Sequence, residues 1–140
     1  MDYAIEDTRK QPVPKVKDLI GKDLITLETA KDWLRTMYEI RFFEEKVFDL
    51  LGQNVIKGAS HLYAGQEAVA TGAIAAMEHG DVIGSTHRGH GHCGAVGNKY
   101  AKTEKDRQDH WDAMMAELMG KETGYCKGRG GGMHIADFTM

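Results

Sequence analysis

The pattern of apolar and polar positions along the chain predicts three helices and one short strand. The longest pattern runs from Thr26 to Leu51, where apolar residues recur at helical spacing, and Gly52 follows as a C-cap. The predicted buried face comprises Ala30, Trp33, Leu34, Met37, Ile40, Val47, Phe48 and Leu51. Arg41 and Glu45 lie four residues apart on this helix, with Glu44 nearby, which favours a solvated or interface ion pair.

Two further helices are predicted, and they differ in composition. Residues 66–77 are mainly Ala, Gly and Thr, so a helix there has little bulk and can pack its backbone closely on a neighbour. Residues 103–120 are highly charged, and Gly120 is the expected cap. The predicted buried stripe of this helix comprises Trp111, Met114, Met115 and Leu118.

A strand and two glycine-rich segments complete the pattern. Gly80 and Asp81 indicate a turn, and the sequence DVIGST, which begins at Asp81, favours a short buried strand. The sequence STHRGHGHCGAVG (residues 85–97) overlaps its end, and α/β proteins bind ligands at the carboxyl ends of strands. Residues 128–132 predict a second glycine-rich loop, of a kind that often contacts a ligand. We therefore expect an α/β fold, mostly helical with at least one short buried strand.

Composition narrows the class of protein. The 140 residues, 41% hydrophobic and 28% charged, fit one domain that can bury a core. We assign this domain to residues 26–140, after an arm at residues 1–25 that contains Pro12 and Pro14. The net charge of −3 gives no basic field for nucleic acid. Two cysteines, no secretory signal and no apolar run of membrane length predict a soluble, reducing, cytoplasmic protein that binds neither nucleic acid nor membrane.

The histidines of residues 85–97 allow two kinds of site. His87, His90 and His92 can supply three ligands to zinc, although the permanent charge of Arg88 raises the electrostatic cost of a metal there. Alternatively, Arg88 binds an anion such as a phosphate, with glycines that let backbone amides approach it. A structural ion pair of Arg88 is the third possibility. We favour the anion site, and we expect His79, His110 and His134 at the surface or in hydrogen-bonded packing, with His134 the nearest of them to a glycine loop.

Several motifs, in order, carry a family resemblance. The succession RFFEEKVFDLL, GASHLYAGQEAVATGA, DVIGSTHRGHGH and MAELMGKETGYCKGRGGGMHIAD, across residues 33–137, resembles the alpha subunit of thiamine-diphosphate-dependent 2-oxo acid dehydrogenases, and most of all acetoin dehydrogenase alpha subunits. The resemblance implies the amino-terminal part of a thiamine-diphosphate-binding fold, paired with a beta subunit in a heterotetramer. It also implies a catalytic His61 facing the reacting end of the cofactor, and cofactor-binding His87 and Arg88, with Arg88 on the diphosphate.

The same resemblance implies a reaction. A thiazolium carbanion attacks a carbonyl carbon of acetoin, pyruvate or a branched 2-oxo acid, and a carbon–carbon bond of the substrate is then cleaved. The remaining acyl unit, which has two carbons when the substrate is acetoin or pyruvate, passes to the lipoyl group of an acyltransferase. Gly132 stands where many relatives have serine. The segment at residues 99–111 is longer than its counterpart in the pyruvate enzymes, and it has no assigned role.

Magnesium ligands are missing from the sequence. The family holds magnesium with Gly-Asp-Gly and a later asparagine, whereas Gly80-Asp81 is followed by Val82, and the chain has only Asn54 and Asn98. We therefore expect the ion's ligands outside this chain, and we interpret the chain as an amino-terminal fragment that is inactive alone. Two alternatives are an inactive interaction module that binds a beta subunit and a small zinc hydrolase that uses the histidine cluster.

Overall fold

The structure is a computed structural model, and it describes residues 12–135. In that part of the chain there are five α-helices and one short 3-10 turn at Gly131–Met133. The helices are α1 (Val16–Gly21), α2 (Leu27–Gly52), α3 (Glu67–Ala76), α4 (His90–Tyr100) and α5 (Glu104–Leu118). The chain divides into two compact units, Met1–Asp32 and Trp33–Met140.

The first unit contains the predicted arm. Residues 1–11 of the arm lie outside the described residues, and Pro12 and Pro14 precede α1 without regular structure. α1 itself was not expected. It has no buried residue, so it is a local helix that the apolar pattern does not mark.

The long helix α2 confirms the prediction from Thr26 to within one residue at each end, but part of the predicted buried face is wrong. Ile40 and Val47 are buried as expected, whereas Leu34 is 50% exposed and Phe48 65% exposed. The buried stripe instead includes two polar residues, Thr36 and Glu44. Both are hydrogen-bonded, to Asn98 and His90 of α4, so they enter the core with partners that apolar periodicity cannot indicate.

Helix α4 was not predicted, because residues 85–97 were expected to be a glycine-rich segment whose backbone an anion can approach. Gly91, Gly94 and Gly97 are three residues apart, so they form a stripe without side chains along the helix. The rings of Tyr63, Trp111 and His110 pack into this stripe, and a Cβ at any of the three glycines would overlap the ring it faces. These glycines therefore admit aromatic rings to the helix backbone rather than an anionic ligand.

The other two predicted helices are confirmed. The small-residue helix α3 packs on α4, and its Ala70 and Ile74 are buried in one cluster with Ile40, Tyr63 and Ala95. α5 begins with a capping box between Thr103 and Asp106. Its Met114 and Leu118 are buried in a second cluster, against which Trp111 and Met115 pack partly buried; that cluster comprises Phe43, Val47, Ile56, Cys93, Met114, Leu118 and Ile135.

The predicted buried strand is wrong. Residues 81–86 have no strand assignment, and Val82 is 95% exposed. A strand needs a neighbour to pair its backbone N–H and C=O groups, and no segment within residues 12–135 provides one. The described part of the chain is therefore helical, without the strand on which the α/β assignment depended. Among its helices, none has the length and apolarity that a membrane crossing requires.

Candidate functional site

The three predicted site residues come together at the surface. The rings of His61 and His87 meet edge to face, with centroids 4.5 Å apart and planes at 76°. Arg88, which is half-buried, donates from Nη1 to the carbonyl oxygen of Leu62, next to His61. Two loops distant in sequence are thus joined at the point where the exposed imidazoles meet.

Arg88 keeps donors for a further partner. Its backbone N–H donates to Oγ1 of Thr86 at 3.3 Å. Among the described residues, the Leu62 carbonyl is the only hydrogen-bond partner of its guanidinium, so Nε and Nη2 remain available. Arg88 also precedes Gly89, the N-cap of α4, where the partial positive charge of the helix favours an anion.

His90 is a packing residue. It donates its Nδ1–H to Oε1 of Glu44 at 2.8 Å, and the two side chains are 1% and 0% exposed. Its Nε2 is buried without a hydrogen-bond partner in the described part of the chain, and a Cβ at Gly132 would lie 2.5 Å from it. His90 therefore ties α4 to α2 and does not face the surface site.

His92 has different neighbours again. Its Nδ1 lies 2.8 Å from Oγ of Ser85, and its Nε2 lies 3.3 Å from the hydroxyl of Tyr63. Burial lowers the pKa of His92. Since His87, His90 and His92 each have separate partners, they form no cage. Within residues 12–135, no three His, Cys, Asp or Glu side chains are arranged to hold a metal ion.

The glycine-rich loop that follows α5 already binds a carboxylate of its own chain. Glu117, which is 1% exposed, accepts backbone hydrogen bonds at Oε2 from Cys126 (2.8 Å) and Gly128 (2.9 Å). At Oε1 it accepts them from Gly130 (2.7 Å) and Gly131 (3.0 Å). Burial by itself raises the pKa of Glu117, but these four N–H donors lower it overall. The loop amides expected to meet a ligand are thus occupied.

The remaining histidines follow the sequence expectation. His79 and His134 are exposed, and His110 is buried. His110 donates from Nε2 to the carbonyl oxygen of Cys93 at 2.9 Å, and its Nδ1 accepts from the Tyr125 hydroxyl. These positions confirm the expectation that the three histidines lie at the surface or in hydrogen-bonded packing.

The predicted ion pair within α2 is replaced by one between helices. Arg41 donates from Nε to Oε1 of Glu67 at 2.6 Å rather than to Glu45. Glu67 is also held by the backbone N–H of Gly65, so its carboxylate is fixed, whereas Glu45 is an exposed side chain. A fixed partner costs less side-chain entropy than a mobile one. This pair connects α2 to α3.

An open cleft of about 620 Å³ lies beside the site. Its lining includes Ser85, Gly89, His92, residues 133–135 and all of residues 77–83 except Glu78. His61, His87 and Arg88 are outside its lining. His92 is therefore the histidine of the HRGHGH sequence that faces the cleft.

Comparison with known proteins gives consistent results. A family model described as "Dehydrogenase E1 component" matches residues 35–139. The alpha subunit of acetoin:2,6-dichlorophenolindophenol oxidoreductase from Bacillus subtilis (strain 168) is 52% identical over 113 residues, which cover 81% of this chain and 31% of that protein. Its counterpart from Cupriavidus necator is 43% identical over 123 residues, covering 85% and 34%.

A pyruvate enzyme is also similar. The alpha subunit of the pyruvate dehydrogenase E1 component from Rhizobium meliloti (strain 1021) is 38% identical over 134 residues, covering 94% of this chain and 35% of that protein. The chain thus spans about a third of the length of the curated relatives it matches. No solved structure matches it significantly.

Proposed function

Because the chain belongs to the dehydrogenase E1 component family, we propose that it supplies one side of a thiamine diphosphate site in a dehydrogenase that cleaves acetoin or a 2-oxo acid. Acetoin is the preferred substrate in this proposal. The relatives named for acetoin are 52% and 43% identical, compared with 38% for the Rhizobium meliloti pyruvate enzyme. A beta subunit and a lipoyl-bearing acyltransferase are the proposed partners.

The observation that carries the proposal is the convergence of His61, His87 and Arg88. A half-buried guanidinium with donors to spare and two exposed imidazoles fit the chemistry of a diphosphate. The described residues do not fit a magnesium site, since no cluster of suitable ligands exists in residues 12–135. We place the ion's ligands outside this chain.

Each residue has a distinct role in this proposal. When bound, thiamine diphosphate supplies a carbanion equivalent that attacks the substrate carbonyl. Arg88 compensates the diphosphate charge through paired N–H donors, and His87 adds a donor beside it. His61 exchanges protons at the reacting end, because an imidazole ring carries one nitrogen that can donate a proton and one that can accept it.

Calorimetry with the 140-residue chain, alone and mixed with the beta subunit of the same organism, tests the cofactor site. Arg88→Ala removes charge-assisted hydrogen bonds, so it is expected to weaken thiamine diphosphate binding by about 1.5–3 kcal/mol, with partial rescue by Arg88→Lys. Lys102→Ala is the matched control, because it removes an exposed cation just beyond the opposite end of α4, about 16 Å along the helix axis. Equal affinity of Arg88→Ala and the unaltered chain would refute the site.

His61→Ala separates the two roles. In the assembled enzyme it is expected to lower turnover of acetoin with little change in cofactor affinity, because a proton-transfer group acts mainly in the transition state. The chain alone is expected to show no acetoin- or pyruvate-dependent dye reduction. A His61→Ala enzyme with full turnover would remove His61 from the mechanism.

One observation favours the alternative of an interaction module that binds a beta subunit without catalysis. Leu34, Tyr38, Phe42 and Phe48 on α2 are each at least half exposed, which is typical of a surface that another chain covers. Under this alternative, the chain binds the beta subunit with unchanged affinity when Arg88 is replaced by alanine, and the mixture binds no thiamine diphosphate.

A further inference from the structure

His92 lies at the centre of a chain of hydrogen bonds between the two loops that carry His61 and His87. On one side, its Nε2 is 3.3 Å from the Tyr63 hydroxyl. On the other, its Nδ1 is 2.8 Å from Oγ of Ser85, and that hydroxyl donates to the carbonyl oxygen of Arg88 at 3.5 Å. The histidine therefore connects residue 63 to residues 85 and 88.

One arrangement of protons on a neutral His92 ring satisfies all of these contacts. In this arrangement, the single proton of the Ser85 hydroxyl is directed to the Arg88 carbonyl, and the hydroxyl accepts from the Nδ1–H of His92. Nε2 of His92 is then unprotonated, and it accepts from the Tyr63 hydroxyl. A neutral ring agrees with the burial that lowers the pKa of His92.

Tyr63, which anchors these hydrogen bonds, is held firmly by its packing. Tyr63 is 1% exposed, and its ring packs against the α4 backbone at Gly91, where there is no side chain to displace it. His92 is the next residue of α4 after Gly91, so the packing of the Tyr63 ring on α4 fixes Tyr63 relative to His92. A second link, from the Arg88 guanidinium to the Leu62 carbonyl, closes the connection between the loops.

We propose that His92 is a positioning residue that fixes the loop at residues 85–88 against Tyr63 and thereby sets the contact of His61 with His87 and the placement of Arg88. His61 is two residues before Tyr63, and His87 is two residues after Ser85, so movement of either anchor displaces an imidazole. The importance of His61, His87 and Arg88 rests on the proposed function. We call the hydrogen bonds that join Tyr63, His92, Ser85 and the Arg88 carbonyl the clamp. The clamp is present in the protein without cofactor.

The test uses the full chain and the exposed end of the clamp. Ser85 is exposed, so Ser85→Ala removes the link without opening the core, and Ser85→Thr retains the hydroxyl as a matched control. Tyr63→Phe removes the link at the other anchor. In histidine-labelled protein without cofactor, the nuclear Overhauser effect between the rings of His61 and His87 is expected in the unaltered chain and in Ser85→Thr. It is expected to be lost or strongly reduced in Ser85→Ala and Tyr63→Phe.

Cofactor affinity is the second measurement. Ser85→Ala is expected to weaken thiamine diphosphate binding by about threefold to tenfold, the effect of one hydrogen bond, and Ser85→Thr by less than about twofold. An inter-ring effect that survives in both Ser85→Ala and Tyr63→Phe, or that is absent from the unaltered chain, would overturn the inference. Loss of the effect without any change in affinity would overturn the role of the clamp in positioning. If the unaltered chain binds no cofactor even with a beta subunit, the proposed function fails, whereas loss of the effect in the two variants still supports the clamp.

Discussion

At the scale of single residues, Glu117 explains why a glycine-rich loop can resemble an anion site in sequence although four of its amides bind a carboxylate of the same chain. Four backbone N–H groups converge on its carboxylate, an arrangement that would suit a bound anion. The anion is supplied by the protein itself. Its position in the buried stripe of α5, between Met114 and Leu118, is the sequence signal for this role, because an acid on a core-facing stripe requires donors.

Glu117→Gln is expected to reduce the free energy of unfolding by about 2–4 kcal/mol, because the amide nitrogen cannot accept the backbone N–H groups that one carboxylate oxygen now accepts. The pH dependence follows from the lowered pKa. The folded state holds Glu117 ionised more strongly than the unfolded state, so its contribution is present above the ordinary glutamate pKa of 4.5 and is lost as pH falls through the lower folded value. Urea unfolding as a function of pH measures both effects.

Glu122→Gln is the control for this prediction, because Glu122 is an exposed acid of the same loop. It is expected to change stability by less than about 0.5 kcal/mol. If Glu117→Gln behaves like Glu122→Gln, the four hydrogen bonds do not stabilise the loop.

At the scale of elements, α4 depends on its glycines for packing. Glycine has low helix propensity, so three glycines at residues 91, 94 and 97 destabilise the helix in isolation. The rings of Tyr63, His110 and Trp111, which pack against the glycine stripe, offset that cost through burial and dispersion. This element is stable because of its neighbours, not because of its own sequence.

Gly97→Ala is expected to destabilise the chain by about 1–3 kcal/mol, because a methyl group there overlaps the ring of His110. His110 is buried and hydrogen-bonded to Cys93 and Tyr125, so the ring has little room to move. Gly72→Ala on α3 is the matched control. Within residues 12–135, no atom other than those of its chain neighbours and the α3 backbone lies within 4 Å of a Cβ at that position, so this change is expected to stabilise the chain by about 0.5–1 kcal/mol through helix propensity.

Thermal and urea unfolding of both alanine variants measure the difference. Two variants of equal stability would show that the ring of His110 does not constrain α4. The opposite signs predicted for the same chemical change make the comparison independent of any general effect of alanine.

The sequence predicts elements whose determinants are local. α2, α3 and α5 follow from apolar spacing and end signals within their own residues, such as Gly120 after α5, whose φ is +68°. α4 was missed because the rings that stabilise it lie elsewhere in the chain, at residues 63, 110 and 111. The strand at residues 81–86 was wrong for a related reason, since a strand depends on a partner that the described residues do not contain.

At the scale of the whole molecule, the candidate site joins loops that lie 26 residues apart in sequence, as the link from Arg88 to Leu62 shows. Residue chemistry alone predicts Arg88 as an anion ligand. His61 is identified only through the family resemblance, which the comparisons confirm, because no local pattern around it distinguishes it from a surface histidine. His92 was grouped with a metal cage, since sequence spacing does not reveal the Ser85 and Tyr63 partners that separate it from His87 and His90.

The outer face of α2 comprises Leu34, Tyr38, Phe42 and Phe48, and its exposed apolar area predicts self-association. These side chains are 50–65% exposed, and the rings of Tyr38 and Phe42 stack with centroids 5.9 Å apart. Burial of an aromatic side chain contributes about 1.5–3 kcal/mol, so the isolated chain is expected to self-associate through this face. Sedimentation velocity over a range of concentrations is expected to show a rising sedimentation coefficient.

Tyr38→Gln combined with Phe42→Gln is expected to weaken this association by at least about tenfold, because it removes two aromatic contacts from the face without adding charge. Val69→Gln is the control, since Val69 is 62% exposed but lies on α3. Circular dichroism should show the same helix content in all three proteins, because none of the changed side chains is in the core. If the unaltered chain is a single monomeric species at every concentration, the prediction is wrong. The exposed apolar face would then drive no measurable association, which would favour an independently stable domain.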